Sequence, residues 1–321
     1  MPSATSDMPL RLGISACLLG ETVRYDGGHK RDPFLSDRLA SWVEWVPVCP
    51  ELEAGLGVPR PPMHLVGQGQ SIRLLERESG RDHTRTLQRF STRRIRELRA
   101  LELAGYVFKM DSPSCGIGRV PVSRPRARPQ REGRGLFAAA LCDALPGLPV
   151  EDEGRLQDPL LRENFIERSI AFARLRELFR GRWTARRVAA FQQAHELQLL
   201  AHSPSSYRAL QQQLAALAKT PRAAFRARYH AEFMAALAKP ASPTRTASAL
   251  RRAARHFEGQ LPPRARRELS ASIDAYRAGD VPLRAPLVRI RRHVRELSVT
   301  PLEGQTFLEA RLDERLRGRR A

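Results

Sequence analysis

The sequence contains no apolar run long enough to cross a membrane, and residues 1–10 lack the basic start and apolar stretch of a secretory signal. We therefore expect a cytoplasmic protein with no membrane partner. There are only 4 cysteines in 321 residues, and no C-x-x-C or C-x₃-C-x₂-C motif joins them. In a cytoplasmic chain, these cysteines are interpreted as thiols or metal ligands before disulfides.

Lysine is also scarce, and acidic residues are too few to balance the arginines. The chain has 4 lysines and 51 arginines, and its net charge is +21. Residues 1–150 carry 22 Lys and Arg against 16 Asp and Glu, whereas residues 151–321 carry 33 against 18. A C-terminal half this basic favours a polyanionic partner such as RNA or DNA. Arginines scattered over solvated helix faces are the alternative.

Hydrophobic periodicity divides the chain into two halves. The first half alternates strand patterns with helix patterns, and the strand patterns lie at 10–16, 42–48 and 106–108. Its helix patterns lie at 33–41, 85–103 and 135–145. This alternation predicts an α/β domain with a parallel sheet.

The second half consists of helix patterns with short turns between them. They lie at 160–179, 191–201, 207–217, 223–238, 247–257 and 263–278. Strand patterns are scarce there, so an all-α domain is predicted. In the first half, the basic segment 119–134 has no apolar pattern and is expected to be a loop.

Three of the four cysteines share one local setting. Cys17, Cys49 and Cys115 each come after a short strand-like run, in a turn that contains Gly or Pro. Because the carboxyl ends of parallel strands meet at one edge of a sheet, we expect these thiols to converge. Three thiolates leave one position of a metal centre open for chemistry. Cys142 lies among Ala and Leu in a predicted helix, which favours a packing role.

The cysteine spacing leaves three kinds of chemistry open. An iron–sulfur cluster suits widely spaced ligands from a preformed fold. Zinc with a fourth ligand is possible, although zinc sites usually draw on close cysteine pairs. Persulfide chemistry, in which one cysteine attacks and another resolves, needs no metal.

Polar residues beside these cysteines are candidates for the substrate site. The loop after Cys17 combines cations, an acid, an aromatic and glycines, and its candidate binding residues are Arg24, Asp26, Gly27 and Gly28. Glu51 lies two residues after Cys49, where a carboxyl beside an anionic cluster tends to keep its proton and act as a general acid. Ser112 and Ser114 donate to bound sulfur or substrate, or cap the turn before Cys115.

Four ordered segments, 15–20, 23–28, 47–51 and 112–116, resemble the thiouracil desulfidase (TudS) family. The resemblance covers roughly residues 9–155. The rest of the chain is similar to the YbgA-type helical domain, and the joining segment lies at 148–166. The two-domain form resembles the RudS-type desulfidases, which remove sulfur from 4-thiouridine in tRNA.

The resemblance implies a Rossmann-like catalytic domain at residues 1–155 and a basic, all-α, RNA-binding domain at residues 156–321. It implies a 4Fe–4S cluster on Cys17, Cys49 and Cys115 whose free iron takes the sulfur. It places the catalytic glutamate at Glu51 and the catalytic serine at Ser112. The implied reaction is hydrolytic and without redox change, gives uridine and hydrosulfide, and has tRNA as the partner.

Rival functions remain at this point. The same chemistry on free 2-thiouracil or a thionucleoside would not need RNA. A zinc-stabilised nucleic-acid-binding protein would not be an enzyme. A cysteine sulfurtransferase would need no cluster and would leave a persulfide after turnover.

Overall fold

The structure, a computed structural model, describes residues 10–124 and 127–318. These residues form two compact units, residues 10–173 with 312–318, and residues 174–311. The strands are β1 (Leu10–Ser15), β2 (Val43–Val48), β3 (Met63–Val66), β4 (Arg73–Glu76), β5 (Gly105–Phe108), β6 (Val120–Arg124), β7 (Ala127–Gly133) and β8 (Val150–Asp152). The helices of the first unit are α1 (Pro50–Glu53), α2 (Thr84–Ala100), α3 (Leu136–Ala144), most of α4 (Pro159–Leu178) and α12 (Leu312–Gly318).

The first unit is built around a parallel four-stranded sheet in the order β2-β1-β5-β8. Alternate residues of β5 face opposite sides of this sheet. Tyr106 and Phe108 pack with α2 and α3, whereas Val107 packs in a second core with α4 and α12. Since both faces of β5 are covered by helices, all four of its residues are buried. The predicted α/β class and the three predicted strands are confirmed.

A second, smaller sheet was not predicted. Its order is β4-β3-β6-β7, and the β3–β4 and β6–β7 pairs are antiparallel. The prediction of a loop at 119–134 is therefore wrong, apart from residues 125 and 126, which lie outside the described residues. Only two apolar side chains of β6, Val120 and Val122, are buried. Two alternating apolar residues are too few to give a strand pattern, and the partner strand β3 lies far away in the sequence.

The second unit is helical, as predicted. Its helices are α5 (Ala185–Ala194), α6 (Glu196–His202), α7 (Pro204–Ala215), α8 (Arg222–Leu237), α9 (Pro243–Ala254), α10 (Pro263–Ala278) and α11 (Arg284–Glu296). The helix predicted at 191–201 is in fact two helices that meet at His195. No Gly or Pro marks this break, so the sequence pattern runs through it. Within the described ranges, no helix has the length and apolar character needed to cross a membrane.

Gly13 gives a stability prediction for the parallel sheet. A Cβ atom at Gly13 would lie 2.2 Å from the Tyr106 ring, which is fully buried and stacked on Phe108. Because this ring has no room to move, Gly13→Ala is expected to lower the free energy of unfolding by about 1–3 kcal/mol. Urea unfolding measures the change. Gly118→Ala is the control, since an added Cβ there meets no described atom within 4 Å.

His195 gives a pH prediction for the helical unit. Its ring is 1% exposed, its Nδ1 lies 2.8 Å from Gln198 Oε1, and burial lowers its pKa to about 3. Between about pH 3 and about pH 6.5, His195 is protonated in the unfolded chain but neutral in the folded chain. The free energy of unfolding therefore falls as the pH drops below about 6.5. The loss is at most about 1.4 kcal/mol per pH unit. Urea unfolding at pH 7.5 and 5.5 should show a smaller loss in His195→Gln than in the wild type, and equal losses would contradict this assignment.

Candidate active site

A cavity of about 320 Å³ lies at the carboxyl ends of β1, β2 and β5. Cys17, Cys49 and Cys115 all line it, together with Glu51 and Ser112. The convergence that the strand order predicts is therefore present in the structure. Among the described residues, no group of three or more His, Cys, Asp or Glu side chains is arranged to hold a single metal ion. The three thiols thus surround a shared space and do not form a compact site for one ion.

The first two cysteines are held in tight turns directly after their strands. Cys17 lies in a short helical turn that ends at Gly20, whose φ of +101° favours glycine. The Cys17 carbonyl accepts a hydrogen bond from the Lys30 backbone N–H at 2.9 Å. Cys49 precedes α1, and its backbone N–H donates to Glu53 Oε1 at 2.8 Å. Both cysteines are therefore fixed by the strand end and by local hydrogen bonds.

The third cysteine is positioned by a helix. Cys115 follows the end of β5 by seven residues, and the intervening turn packs on the first turn of α3. The N–H groups of Leu136 and Phe137 have no acceptor within their own helix, and they donate to the carbonyls of Pro113 and Ser114 at 3.1 and 3.0 Å. A Cβ atom at Gly135 would lie 2.4 Å from the Ser114 carbonyl carbon. Glycine therefore permits this close approach of the helix to the turn.

The pKa values of all three thiols are raised, and burial is the main cause. Burial, and then the charge of Cys49, raises the pKa of Cys17 to about 11. Burial also raises the pKa of Cys49. Burial raises the pKa of Cys115 well above its ordinary value, and the charges of Cys49, Glu51 and Cys17 raise it further. A hydrogen bond from the Ser15 hydroxyl acts in the opposite direction. Without metal these thiols stay protonated at neutral pH, so metal binding must release protons.

Glu51 is held by two side chains, one on each carboxylate oxygen. Arg60 Nε donates to Oε2 at 2.8 Å, and Ser114 Oγ donates to Oε1 at 2.7 Å. Ser114 is fully buried and is not among the described lining residues of the cavity. It was predicted to bind substrate, and the structure places it behind Glu51.

Ser112 lines the cavity and also closes the turn before Cys115. Its Oγ accepts from the backbone N–H groups of Ser114 and Cys115 at 3.2 and 3.1 Å. These two bonds use both lone pairs of the hydroxyl oxygen, so its hydrogen is left to donate. Ser112 therefore combines the two roles that the sequence left open, a cap for the turn and a donor at the cavity.

The loop after Cys17 contributes one of its four candidate binding residues directly. Arg24 lines the cavity, whereas Asp26, Gly27 and Gly28 are not among the described lining residues. Asp26 accepts from Arg24 Nε at 3.3 Å and from the Gly28 backbone N–H at 3.0 Å. The φ of Gly27 is +76°, which lets the loop turn back on itself. These three residues therefore orient Arg24 from outside the cavity.

Sequence reasoning missed several cations that line the cavity, among them Arg60 and Lys109. Arg60 lies among prolines after α1, in a segment without apolar periodicity, and its side chain lines the cavity. Lys109 follows β5, lines the cavity and pairs with Glu153 at 2.5 Å. For Lys109 a signal was available, since it directly follows a predicted strand, as Cys49 does. Cys142 is half-buried in α3 and lies outside the described lining.

Comparisons with known proteins match the two units separately. A family model described as 2-thiouracil desulfurase matches residues 12–153. A second model, described as a protein of unknown function (DUF1722), matches residues 196–310.

Individual relatives show the same division. The uncharacterized protein YbbK of Bacillus subtilis (strain 168) is 28% identical over 152 residues, which are 46% of this chain and 98% of YbbK. The uncharacterized protein YbgA of Escherichia coli (strain K12) is 30% identical over 116 residues, which are 36% of this chain and 69% of YbgA. A solved structure described as the [4Fe-4S]-dependent thiouracil desulfidase TudS is 33% identical, covers 47% of this chain and 96% of its own, and has a TM-score of 0.40. Residues 12–153 therefore form a domain of the 2-thiouracil desulfurase family, and a DUF1722 domain follows it at residues 196–310.

Proposed function

We propose that this protein removes sulfur from thiolated uracil at a 4Fe–4S cluster held by Cys17, Cys49 and Cys115, and that 4-thiouridine in tRNA is its substrate. The observation that carries the proposal is the single cavity lined by these thiols, Glu51 and Ser112. Desulfuration of thiolated uracil also agrees with membership of the 2-thiouracil desulfurase family. The cluster and the tRNA substrate are the more specific parts of the proposal.

The donor set of the cavity fits such a cluster. Its described lining contains three thiols, no fourth cysteine and no histidine. Soft thiolate donors select iron–sulfur clusters and zinc among the common protein metal centres. Cys17, Cys49 and Cys115 would hold such a cluster, which would supply a soft Lewis acid for the thiocarbonyl sulfur.

Glu51 is the residue best placed to accept a proton from water. Its side chain is 12% exposed, and Arg60 Nη2 lies 2.6 Å from its Oε2. The guanidinium and the Ser114 hydroxyl hold the carboxyl group in one orientation at the cavity wall, where it can exchange a proton with water. We therefore assign Glu51 as the general base, in place of the general acid that its position beside an anionic cluster suggests.

Ser112 takes the complementary role of hydrogen-bond donor. Its free hydroxyl hydrogen can bond to the thiocarbonyl sulfur or to the oxygen that replaces it. In the reaction, the carbon of the C=S bond gains oxygen from water and loses sulfur as hydrosulfide. Glu51 takes one water proton, and the second passes from the new hydroxyl to the departing sulfur, which leaves as hydrosulfide as C=O forms. No electrons are transferred.

The arginines of the helical unit supply charge for RNA binding. Exposed arginines recur on α8, α10 and α11. The arginines of this unit that have no acidic partner among the described residues include Arg228, Arg255, Arg266 and Arg267. Contacts to phosphates need charge and no base readout, so folded RNA can bind helices of this kind. Tyr229 on α8 is fully buried, so its ring is not exposed to stack on a base.

The test uses anaerobically purified protein reconstituted with iron and sulfide. Loss of the near-ultraviolet band of 4-thiouridine in tRNA, at a rate that falls steeply with salt, is expected. Loss of the corresponding band for free 2-thiouracil or 4-thiouridine, with tRNA left intact, would support the chemistry and overturn the tRNA substrate. Full cluster loading with no desulfuration of any of these compounds would overturn the function. If the purified protein contains zinc in place of iron, the result would support the alternative of a zinc-stabilised nucleic-acid-binding protein.

A further inference from the structure

Arg60 is a buried cation whose donors are all engaged. The residue is 9% exposed, and its backbone N–H donates to the Tyr25 carbonyl at 2.9 Å. Its Nη1 donates to the Gly57 carbonyl at 2.9 Å, and both Nη atoms donate to the Val23 carbonyl at 3.1 Å. With Nε and Nη2 also on Glu51 Oε2, the guanidinium has a single permitted orientation.

The contacts of Arg60 join the segment that carries Cys49 and Glu51 to the loop after β1. The Val23 carbonyl, which accepts from Arg60, also lies 3.6 Å from Cys49 Sγ. The opposite oxygen of Glu51 is held by the buried Ser114 hydroxyl. A lateral movement of the Glu51 carboxylate therefore breaks a hydrogen bond to Arg60 or to Ser114.

Stability alone does not account for this arrangement. A buried ion pair is weak evidence for stabilisation, because removing two charges from water costs several kcal/mol before their attraction is gained. Apolar residues of similar volume would serve the fold at least as well. The charged pair instead gives orientation, since a planar guanidinium with several fixed acceptors holds its carboxylate partner in one place.

We propose that Arg60 is a positioning residue that clamps the Glu51 side chain at the cavity wall where water is activated. The proposal rests on the proposed function, because it assigns the orientation of the base in that reaction. A lysine in this position would keep the charge, but it has no planar fork with which to reach Val23, Gly57 and Glu51 together. Arg60→Lys therefore separates the effect of charge from the effect of orientation.

The experiment compares Arg60→Ala, Arg60→Lys and the control Arg73→Ala in reconstituted full-length protein. Arg73 belongs to the same unit and forms an exposed ion pair with Asp82. Iron content, kcat and KM are measured on the thiobase that the wild type desulfurates best. Arg60→Ala is expected to keep its iron and lose about 10²-fold in kcat with little change in KM, because misplacing a reacting group by about 1 Å can cost this much. Added guanidinium should restore part of this loss, and Arg60→Lys should also be slow.

Other results would overturn the clamp. These are a wild-type kcat in Arg60→Ala, a loss that follows loss of iron, or full activity in Arg60→Lys. If Arg60→Ala does not fold, the kcat and iron content of Arg60→Lys test the proposal instead.

A urea-unfolding cycle with Arg60→Lys, Glu51→Gln and the double variant tests the clamp without activity. A double-variant shift in urea midpoint equal to the sum of the single shifts overturns the clamp, and a smaller shift supports it. If wild-type protein with full iron content desulfurates none of the thiobases, the proposed function is wrong. The urea-unfolding cycle then remains as the test of the interaction between Arg60 and Glu51.

Discussion

Cys115→Ser is expected to abolish both cluster loading and desulfuration. Soft iron prefers thiolate to a hard hydroxyl ligand, and a serine hydroxyl does not ionise readily enough to replace it. With two remaining thiolates the centre loses a third of its protein ligands. We expect iron per chain to fall to a small fraction of the wild-type value and the desulfuration rate to fall by at least about 10³-fold, because the Lewis acid is lost.

Cys142→Ser is the matched control for this experiment. Both cysteines belong to the same unit, but Cys142 lies in α3 outside the described cavity lining. Its iron content and rate should equal those of the wild type. Near-ultraviolet circular dichroism checks that Cys115→Ser is folded, since Cys115 lies in the hydrophobic core. Normal iron loading in a folded Cys115→Ser protein would remove this residue from the ligand set.

Glu51→Gln is expected to keep the cluster and lose most of the rate. The amide is nearly isosteric and can still accept from Ser114, but it cannot take a proton from water. A general base contributes typically 10²–10⁴-fold, and we expect a loss of about this size in kcat. The measurement is the single-turnover desulfuration rate of protein with full iron content.

Glu44→Gln provides the control for a carboxylate removed from the same unit. Glu44 lies on β2 in an exposed pair with Arg11, away from the cavity. Its rate should match that of the wild type. A Glu51→Gln rate within about threefold of the wild type would exclude Glu51 as the base, and Ser112 would then be the next residue to replace.

The sequence predicts the framework of the site well, because the framework depends on local patterns. The strand before Cys17 and the strand before Cys49 are mostly apolar, and each cysteine follows its strand end. A parallel sheet then brings strand ends together without further information. A strand with only two alternating apolar residues is too short to be recognised from its pattern. The sheet that contains Val120 and Val122 was therefore not predicted.

The sequence by itself determined that an α/β domain with three cysteines at strand ends precedes a basic helical domain. Only the tertiary structure decided what surrounds the thiols. Docking of α3 on the turn at Ser114 positions Cys115, and the buried side chain of Arg60 reaches Glu51 from a loop without periodicity. Hydrogen bonds of this kind join residues that are distant in the chain, or lie in irregular loops, and therefore leave no periodic pattern in the sequence.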